Sequence, residues 1–135
     1  MYINLNKLIM INNIRKYPFS ILIVLTVVYL SFFKPPKTPF DQVHNFDKLV
    51  HVCMYFGMSG IFWLEYMRSH LNQFKIAHIF IGAVVFPVLF SGCVELLQEY
   101  CTTYRGGDWL DFAANSIGVI LAGIIAYFFV KPRFF

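Results

Sequence analysis

Long apolar stretches occupy most of this chain and constrain its fold more than any other feature. A helix needs roughly 20 apolar residues to cross the hydrocarbon core of a membrane. Stretches of that kind cover, to within a few residues, 17–33, 47–67, 74–100 and 109–130. With 59% hydrophobic and 13% charged residues, the chain is far from the composition of a soluble domain. The sequence therefore predicts an all-α fold, an integral membrane four-helix bundle.

The predicted spans form one membrane domain at 17–130, which follows an N-terminal segment at 1–16. That segment alternates apolar residues with Asn and Lys, a pattern typical of a short helix at the membrane surface. The first span has the basic flank and apolar core of a secretion signal, but no small-residue cleavage site follows it. It is therefore interpreted as a retained anchor.

Lys and Arg residues divide unequally between the two ends of the predicted spans. The end that holds both termini has Lys7, Arg15, Lys16, Arg68, Lys75, Lys131 and Arg133. The opposite end has Lys34, Lys37, Lys48 and Arg105. Because positive charge is enriched on the cytoplasmic side, both termini are predicted to be cytoplasmic and the Arg105 loop external. The basic residues form no cluster, so no nucleic-acid partner is expected.

Three local features of the backbone predict how the spans bend and pack. Pro87 lies inside the third span and should kink it, because proline removes one backbone hydrogen bond. Gly106 and Gly107 are interpreted as a flexible hinge that lets Arg105 fold back towards the membrane. The small residues around Gly118 in the fourth span suit close helix packing.

Glu95 is the residue that an ordinary structural role explains least well. A carboxylate inside a membrane span is energetically costly and is usually functional. Glu95 and Glu99 also lie near the C-terminal end of their predicted helix, where the helix dipole disfavours negative charge. A cationic or hydrogen-bonding group should therefore be directed at Glu95.

Polar side chains from three predicted spans fall at a common depth on the external side. With a rise of about 1.5 Å per residue, His51, Glu95 and Asn115 each lie some 6–8 Å below the outer helix ends. Tyr55 follows His51 by four residues on the same helical face, and Asp111 precedes Asn115 by the same interval. These residues are predicted to converge on one outward-facing polar site.

Each member of this set also has an ordinary structural explanation. Asp47 is well placed to be an N-cap, and Asp108 with Asp111 resembles a capping box. Asn115 is suited to hydrogen bonding between helices. His51 alone would more often be a satisfied buried histidine than a catalyst, and Tyr55 is more often a packing residue.

The functional hypothesis assigns two roles within the site. His51 and Glu95 are the candidate catalytic residues, as a general acid–base pair. The candidate binding residues are Asp47, Lys48, Tyr55, Gln98, Arg105, Asp111 and Asn115. Arg105, as a planar fork, is suited to clamp Glu95 or a phosphate.

No metal and no cofactor are predicted. A metal held by His51 and nearby carboxylates would require their convergence, which the sequence does not establish. Cys53, Cys93 and Cys101 form no metal-ligand pair and are interpreted as small buried hydrophobic residues.

The ordered pattern Asp47-Lys48-x-x-His51-x-x-x-Tyr55, Glu95-x-x-Gln98, Arg105 and Asp111-x-x-x-Asn115-x-x-Gly118 resembles the VanZ-like family of small bacterial membrane proteins. The resemblance covers about residues 47–123. It implies a multi-pass protein of the bacterial cell membrane, in a family whose founding member is linked to resistance to lipoglycopeptide antibiotics of the teicoplanin type. The Gly-rich third loop is short, and the proline-rich first loop does not match the family pattern.

Three functions compete. The first is an outward-facing site that binds or acts on the headgroup of a cell-envelope lipid, bearing a phosphate or a peptide. The second is non-catalytic, with the polar cluster only locking the helices of a partner-binding membrane protein. The third, transport of a small solute, is disfavoured because the middle of spans two to four is apolar apart from small residues. Homo-oligomerisation is left open by the sequence.

Overall fold

The computed structural model describes residues 4–33, 36–104 and 106–135, and within these ranges the chain is helical and contains no strand. We number five helices: α1 Leu5–Lys16, α2 Pro18–Phe32, α3 Phe46–Ser69, α4 Ile76–Cys101 and α5 Trp109–Phe134. Helix α4 includes a π-helical segment at Ile81–Val85, and α5 includes one at Ala126–Val130. The all-α fold class is confirmed.

Two of these helices are long and apolar enough to cross a membrane. They are α4 and α5, each 26 residues long. Helices α1 and α2 meet the same criterion only as a pair, bent by 81° at Tyr17, which makes three candidate spans in the described chain against the four predicted. Helix α3 has 24 residues, but it carries more polar side chains, His51, Ser59 and Glu65 among them.

Helices α3 and α5 form the most extensive helix pair of the fold. Gly118 of α5 lies against the backbone of α3, where an added Cβ would come within 2.3 Å of the Val52 carbonyl oxygen and 2.9 Å of the Phe56 nitrogen. Only glycine fits at this crossing. This is the close helix packing that the small residues of the fourth span predict.

Helix α4 is π-helical just before Pro87, and a neighbouring helix contributes a hydrogen bond there. Because proline has no N–H, the carbonyl of Ala83 four residues earlier lacks its usual partner. Ser59 of α3 supplies one, since its hydroxyl donates to the Ala83 oxygen at 2.5 Å. The π-helical segment that precedes Pro87 absorbs the local change in hydrogen bonding.

Apolar side chains both fill the interior and cover the outside. Two buried clusters form the core, one around Trp63 and Met67 and the other around Tyr55 and Met58. Many large apolar residues are exposed along α2, α4 and α5. Such a continuous exposed apolar surface is suited to lipid rather than to water.

The three cysteines do not lie where the sequence analysis placed them. Cys53, Cys93 and Cys101 are free and exposed on the outer surface of the helices. The expectation that they are buried was wrong. A cysteine is apolar enough to face outward where the surrounding surface is itself apolar, so composition alone could not distinguish the two positions.

Glu65 connects the end of α3 to the start of α2. Its carboxylate accepts hydrogen bonds from the backbone N–H groups of Phe19 (3.0 Å) and Ser20 (2.8 Å) and from the Ser20 hydroxyl (2.6 Å). The first N–H groups of a helix have no partner within the helix, and a negative charge there is favoured by the dipole. Glu65 is therefore a buried cap of α2.

Candidate functional site

The polar residues singled out from the sequence come together where the start of α3, the end of α4 and the start of α5 meet. Helix α3 contributes Lys48 and His51, α4 contributes Glu95, and α5 contributes Asp111 and Asn115. His51, Glu95, Asp111 and Asn115 are all buried. We call this set, together with Asp47 and Asp108, the polar cluster.

Lys48 lies between carboxylates of the polar cluster. Its Nζ atom donates to Asp108 Oδ2 at 2.9 Å, makes a close contact with Asp111 Oδ1 and lies 3.6 Å from Asp47 Oδ2. These contacts join the start of α3 to the start of α5. Lys48 is thus already neutralised and is not a free cation directed at the outside.

Asp108 is the N-cap of α5, which agrees with the structural role at the helix start that the sequence suggested for it. Its side chain accepts a hydrogen bond from the Leu110 N–H at 2.8 Å. The hydrogen bond from Lys48 and, next, the bond from Leu110 lower the pKa of the Asp108 carboxyl below its ordinary value. Asp111 does not complete a capping box with it and instead faces Lys48 and His51.

The imidazole of His51 is held from one side and open on the other. Its Nδ1 atom lies 2.9 Å from Asn115 Oδ1, and since an amide oxygen only accepts, Nδ1 carries the hydrogen. Its Nε2 atom lies 3.6 Å from Asp111 Oδ2 and 3.8 Å from Asp47 Oδ1. Both distances exceed those of a hydrogen bond.

Glu95 has the hydrogen-bonding partner that its position in α4 demands. Its Oε2 atom accepts from the backbone N–H of Asp108 at 3.0 Å, and one turn later Glu99 Oε2 accepts from the Gly107 N–H at 2.7 Å. The two glutamates therefore hold the segment that leads into α5. Their charge lies at the N-terminal end of α5, where the helix dipole favours it.

Gly107 is required for its small size rather than for freedom of movement. A Cβ at this position would lie 2.5 Å from the Glu95 carbonyl oxygen and 3.1 Å from Glu99 Cβ. No described glycine has a positive φ. The interpretation of Gly106 and Gly107 as a flexible hinge was therefore wrong for Gly107, which is packed against α4. Arg105, which that hinge was to move, lies outside the described residues.

Three buried polar atoms of this region have no hydrogen-bond partner among the described residues. They are Glu95 Oε1, Asn115 Nδ2 and the Tyr55 hydroxyl, and the remaining such atom, Trp63 Nε1, lies in the other core cluster. Buried polar groups are nearly always paired in native structures, so each exception calls for an explanation. Of these three residues only Glu95 lines a cavity, so a polar ligand accounts for the Glu95 oxygen alone.

A cavity of about 250 Å³ lies beside the polar cluster. Its walls are formed by Glu95, Leu96, Glu99, Tyr100, Gly107, Asp108 and Trp109. Tyr100 and Trp109 at its edge are 81% and 74% exposed. The sequence analysis missed both aromatic residues, although aromatic side chains at the ends of spans are a recognised signal of the membrane interface.

Among the described contacts there is no hydrogen bond or ion pair between His51 and Glu95, the candidate acid–base pair. Among the described residues, the polar contacts of His51 go to Asn115, Asp47 and Asp111, and those of Glu95 go to the Asp108 N–H. The catalytic role of His51 and Glu95 stays a prediction.

The remaining candidates hold structural positions. Gln98 donates to the Ser31 carbonyl oxygen at 2.7 Å and ties α4 to the end of α2. Tyr55 packs in the core. Asp47 is not an N-cap, because Asn45 precedes the helix in a left-handed conformation (φ 60°), and the Asp47 side chain lies exposed at the rim of the cluster.

The polar cluster also contains a set of side chains with metal-ligating atoms. Among the described residues, ligand atoms of Asp47, His51 and Asp111 lie within 4.8 Å of one another, which is close enough for the three side chains to share an ion. The convergence that the sequence could not establish is therefore present.

Comparisons with protein-family models, curated proteins and solved structures found no match. The resemblance to the VanZ-like family therefore depends on the residue pattern alone.

Proposed function

We propose that this chain is a VanZ-like multi-pass protein of the bacterial cell membrane that binds the headgroup of an envelope lipid beside Glu95. The residue pattern from Asp47 to Gly118 supports the family, and the apolar surfaces of α4 and α5 support the membrane location. In this proposal α2 to α5 are the spans of a four-helix bundle. Helix α1, which turns away from α2 at Tyr17, lies along the cytoplasmic surface.

The distribution of charge supports the proposed orientation. Lys and Arg residues are more numerous at the end that holds Glu65 and both termini, so that end is cytoplasmic under the positive-inside rule. The polar cluster then faces outward. A ligand of the cluster would come from the outer leaflet or from the cell envelope.

The single observation that carries the proposal is the environment of Glu95. This buried carboxylate has one oxygen without a partner among the described residues, and it forms part of a cavity wall. The exposed rings of Tyr100 and Trp109 border the same cavity, and such rings favour the headgroup level of a membrane. A lipid headgroup is the ligand that meets both features at once.

The lining of the cavity favours one class of headgroup. Glu95, Glu99 and Asp108 bring three carboxyl groups to its walls, while Lys48 is occupied by Asp108 and Asp111. An amino group or another hydrogen-bond donor suits these walls better than a bare phosphate does. Of the two headgroup classes considered, a peptide-bearing lipid, which carries amino groups, is therefore favoured.

Lipid that copurifies with the protein tests this proposal. Wild type, Glu95→Gln and Glu65→Gln would be purified in the same mild detergent, and their bound lipids identified by mass spectrometry. We expect Glu95→Gln to lose most of an amine-bearing lipid that wild type retains. Glu65→Gln is the matched control, because it alters a buried glutamate at the other end. Equal lipid content in all three proteins would contradict the proposal.

A non-catalytic locking role is the alternative that a specific observation favours. The contacts of Lys48 with Asp108 and Asp111, and of His51 with Asn115, all tie α3 to α5. If the cluster is only a lock, Glu95→Gln, His51→Ala and Lys48→Met should each lower the melting temperature and leave lipid content unchanged per folded molecule. If it is a lipid site, Glu95→Gln should leave the melting temperature almost unchanged.

Transport is the weakest candidate. The buried hydroxyls of Ser59 and Ser91 each donate to a backbone carbonyl, so they are not directed into a path across the bundle. Solute flux into liposomes that contain the purified protein would revive the transport hypothesis.

A further inference from the structure

We infer that Asp47, His51 and Asp111 form a binding site for a divalent transition-metal ion at the rim of the polar cluster. This inference goes beyond the proposed lipid binding and does not depend on it. It also departs from the expectation of no metal, because the required convergence of ligands is now observed.

The distances around His51 Nε2 are those of co-ligands rather than of hydrogen-bonded partners. Nε2 lies 3.6 Å from Asp111 Oδ2 and 3.8 Å from Asp47 Oδ1. With metal–ligand bonds of about 2.1 Å, two ligands of a tetrahedral ion lie roughly 3.4 Å apart. The ligand atoms of Asp47 and Asp111 lie within 4.8 Å of each other, so the exposed Asp47 side chain would move closer to Asp111 and His51 to complete the site.

The orientation of the imidazole is a second and independent observation. Its side chain is 9% exposed, and Nε2 has no hydrogen-bond partner among the described residues. Asn115 Oδ1 holds Nδ1–H at 2.9 Å and so directs the Nε2 lone pair towards the two carboxylates. A hydrogen bond of this kind to the remote nitrogen is the usual support of a histidine that ligates a metal.

Charge also favours a cation at this position. Asp47, Asp108 and Asp111 surround Lys48, so these four residues carry a net charge of −2 when all are ionised. Lys48 contacts Asp111 Oδ1 and lies nearest Asp47 Oδ2, whereas His51 faces the other oxygen of each carboxylate. Lys48 and a bound ion would therefore use different oxygens of the same two carboxylates, and a divalent ion would neutralise the group.

The ligand set defines the class of ion. One imidazole and two carboxylates suit Zn²⁺, Mn²⁺ or Fe²⁺, whereas Mg²⁺ and Ca²⁺ prefer oxygen ligands throughout. Three protein ligands leave at least one coordination position open for water or for a ligand oxygen. Asp47 is 61% exposed, so the ion can enter from the outside.

Metal content of the purified protein tests the inference. The three exposed cysteines would first be replaced by serine, so that thiols do not contribute to binding. After removal of metal with a chelator, the protein in detergent would be dialysed against Zn²⁺, Mn²⁺ or Mg²⁺ and analysed by mass spectrometry for metal per chain. We expect one Zn²⁺ or Mn²⁺ ion per chain, no retained Mg²⁺, and a higher melting temperature with the retained ion.

Variants assign the bound ion to its ligands. His51→Gln and Asp47→Asn should each lose the ion and the rise in melting temperature, while His44→Gln, which changes an exposed histidine in the loop before α3, should retain both. Asp47→Asn is informative even if His51→Gln folds poorly, because Asp47 is exposed. Metal-free wild type, or equal metal content in all three variants, would overturn the inference and leave His51 with a structural role beside the two carboxylates. Glu95→Gln should keep the metal, so failure of the lipid proposal is distinguishable.

Discussion

Two ends of the molecule use a buried glutamate in the same way, and they differ in how completely it is paired. At one end Glu65 accepts three hydrogen bonds from Phe19 and Ser20, and both of its oxygens are used. At the other end Glu95 accepts one bond, from the Asp108 N–H, and its second oxygen has no partner among the described residues. Both carboxylates cap the start of another helix.

The difference indicates which end is built for stability alone. Both oxygens of Glu65 accept hydrogen bonds, so its burial is explained by its role as a cap. A cavity adjoins each glutamate, but only Glu95 combines burial with an oxygen that has no partner among the described residues. Such incomplete pairing is expected at a functional site, where the missing partner is supplied by what binds.

The largest expected effect concerns the helix pair on which the polar cluster depends. Gly118→Val should destabilise the protein by about 3 kcal/mol or more, because the added atoms would collide with the backbone of α3 at Val52. Thermal unfolding of the variant and of wild type in detergent measures this loss of stability. Gly57→Val is the matched control, since a Cβ at Gly57 meets nothing within 4 Å. Equal stability of the two variants would contradict the observed packing.

Removal of Glu65, the glutamate with both oxygens paired, should have the next largest effect on stability. Glu65→Ala leaves the N–H groups of Phe19 and Ser20 without their acceptor, and we expect a loss of about 2–3 kcal/mol. Glu65→Gln keeps an acceptor oxygen and should therefore lose less stability than Glu65→Ala. The comparison of the two ends would fail if Glu65→Ala were as stable as wild type.

Lys48→Met should have an intermediate effect. The substitution keeps the length of the side chain and leaves the carboxylates of Asp108 and Asp111 close together without a cation. Because the Lys48 side chain is 26% exposed, solvent screens part of the repulsion, and we expect a loss of about 1–2 kcal/mol. The difference in stability between wild type and Lys48→Met should shrink at acid pH, because Lys48 lowers the pKa of the Asp108 carboxyl and this stabilisation is lost as Asp108 is protonated. A melting series of both proteins against pH would show it.

Glu95→Gln should have the smallest effect on stability, below about 1 kcal/mol. The amide oxygen can still accept from the Asp108 N–H, and no described partner of Oε1 is lost. Melting curves of Glu95→Gln and wild type should therefore nearly superimpose. A loss as large as that of Glu65→Ala would mean that Glu95 is as structural as Glu65.

Local patterns in the sequence predicted that the chain is helical and that Lys48, His51, Asp111 and Asn115 lie near one another. Apolar runs define α4 and α5, and the four-residue spacing of Asp111 and Asn115 places them on one face. The sequence did not predict that Glu65 caps α2 or that Gly107 packs against Glu95. Both depend on contacts between segments far apart in the chain, which periodicity does not encode.

The sequence also did not predict which side chains pair with each other within the site. Lys48 and Arg105 were both candidates to bind an anion, but only the fold shows Lys48 enclosed by Asp108 and Asp111. Similarly, the spacing of His51 indicated a buried position without showing that its Nε2 atom faces two carboxylates.

Photo-crosslinking at the edge of the cavity tests the central claim most directly. A photoreactive phenylalanine analogue would replace Trp109 in living cells, and the lipid attached after irradiation would be identified by mass spectrometry. We predict enrichment of an amine-bearing envelope lipid over its share of the membrane, and loss of that enrichment when Glu95→Gln is added. A crosslinked population that matches the bulk membrane, with or without Glu95→Gln, would contradict a headgroup site beside this carboxylate.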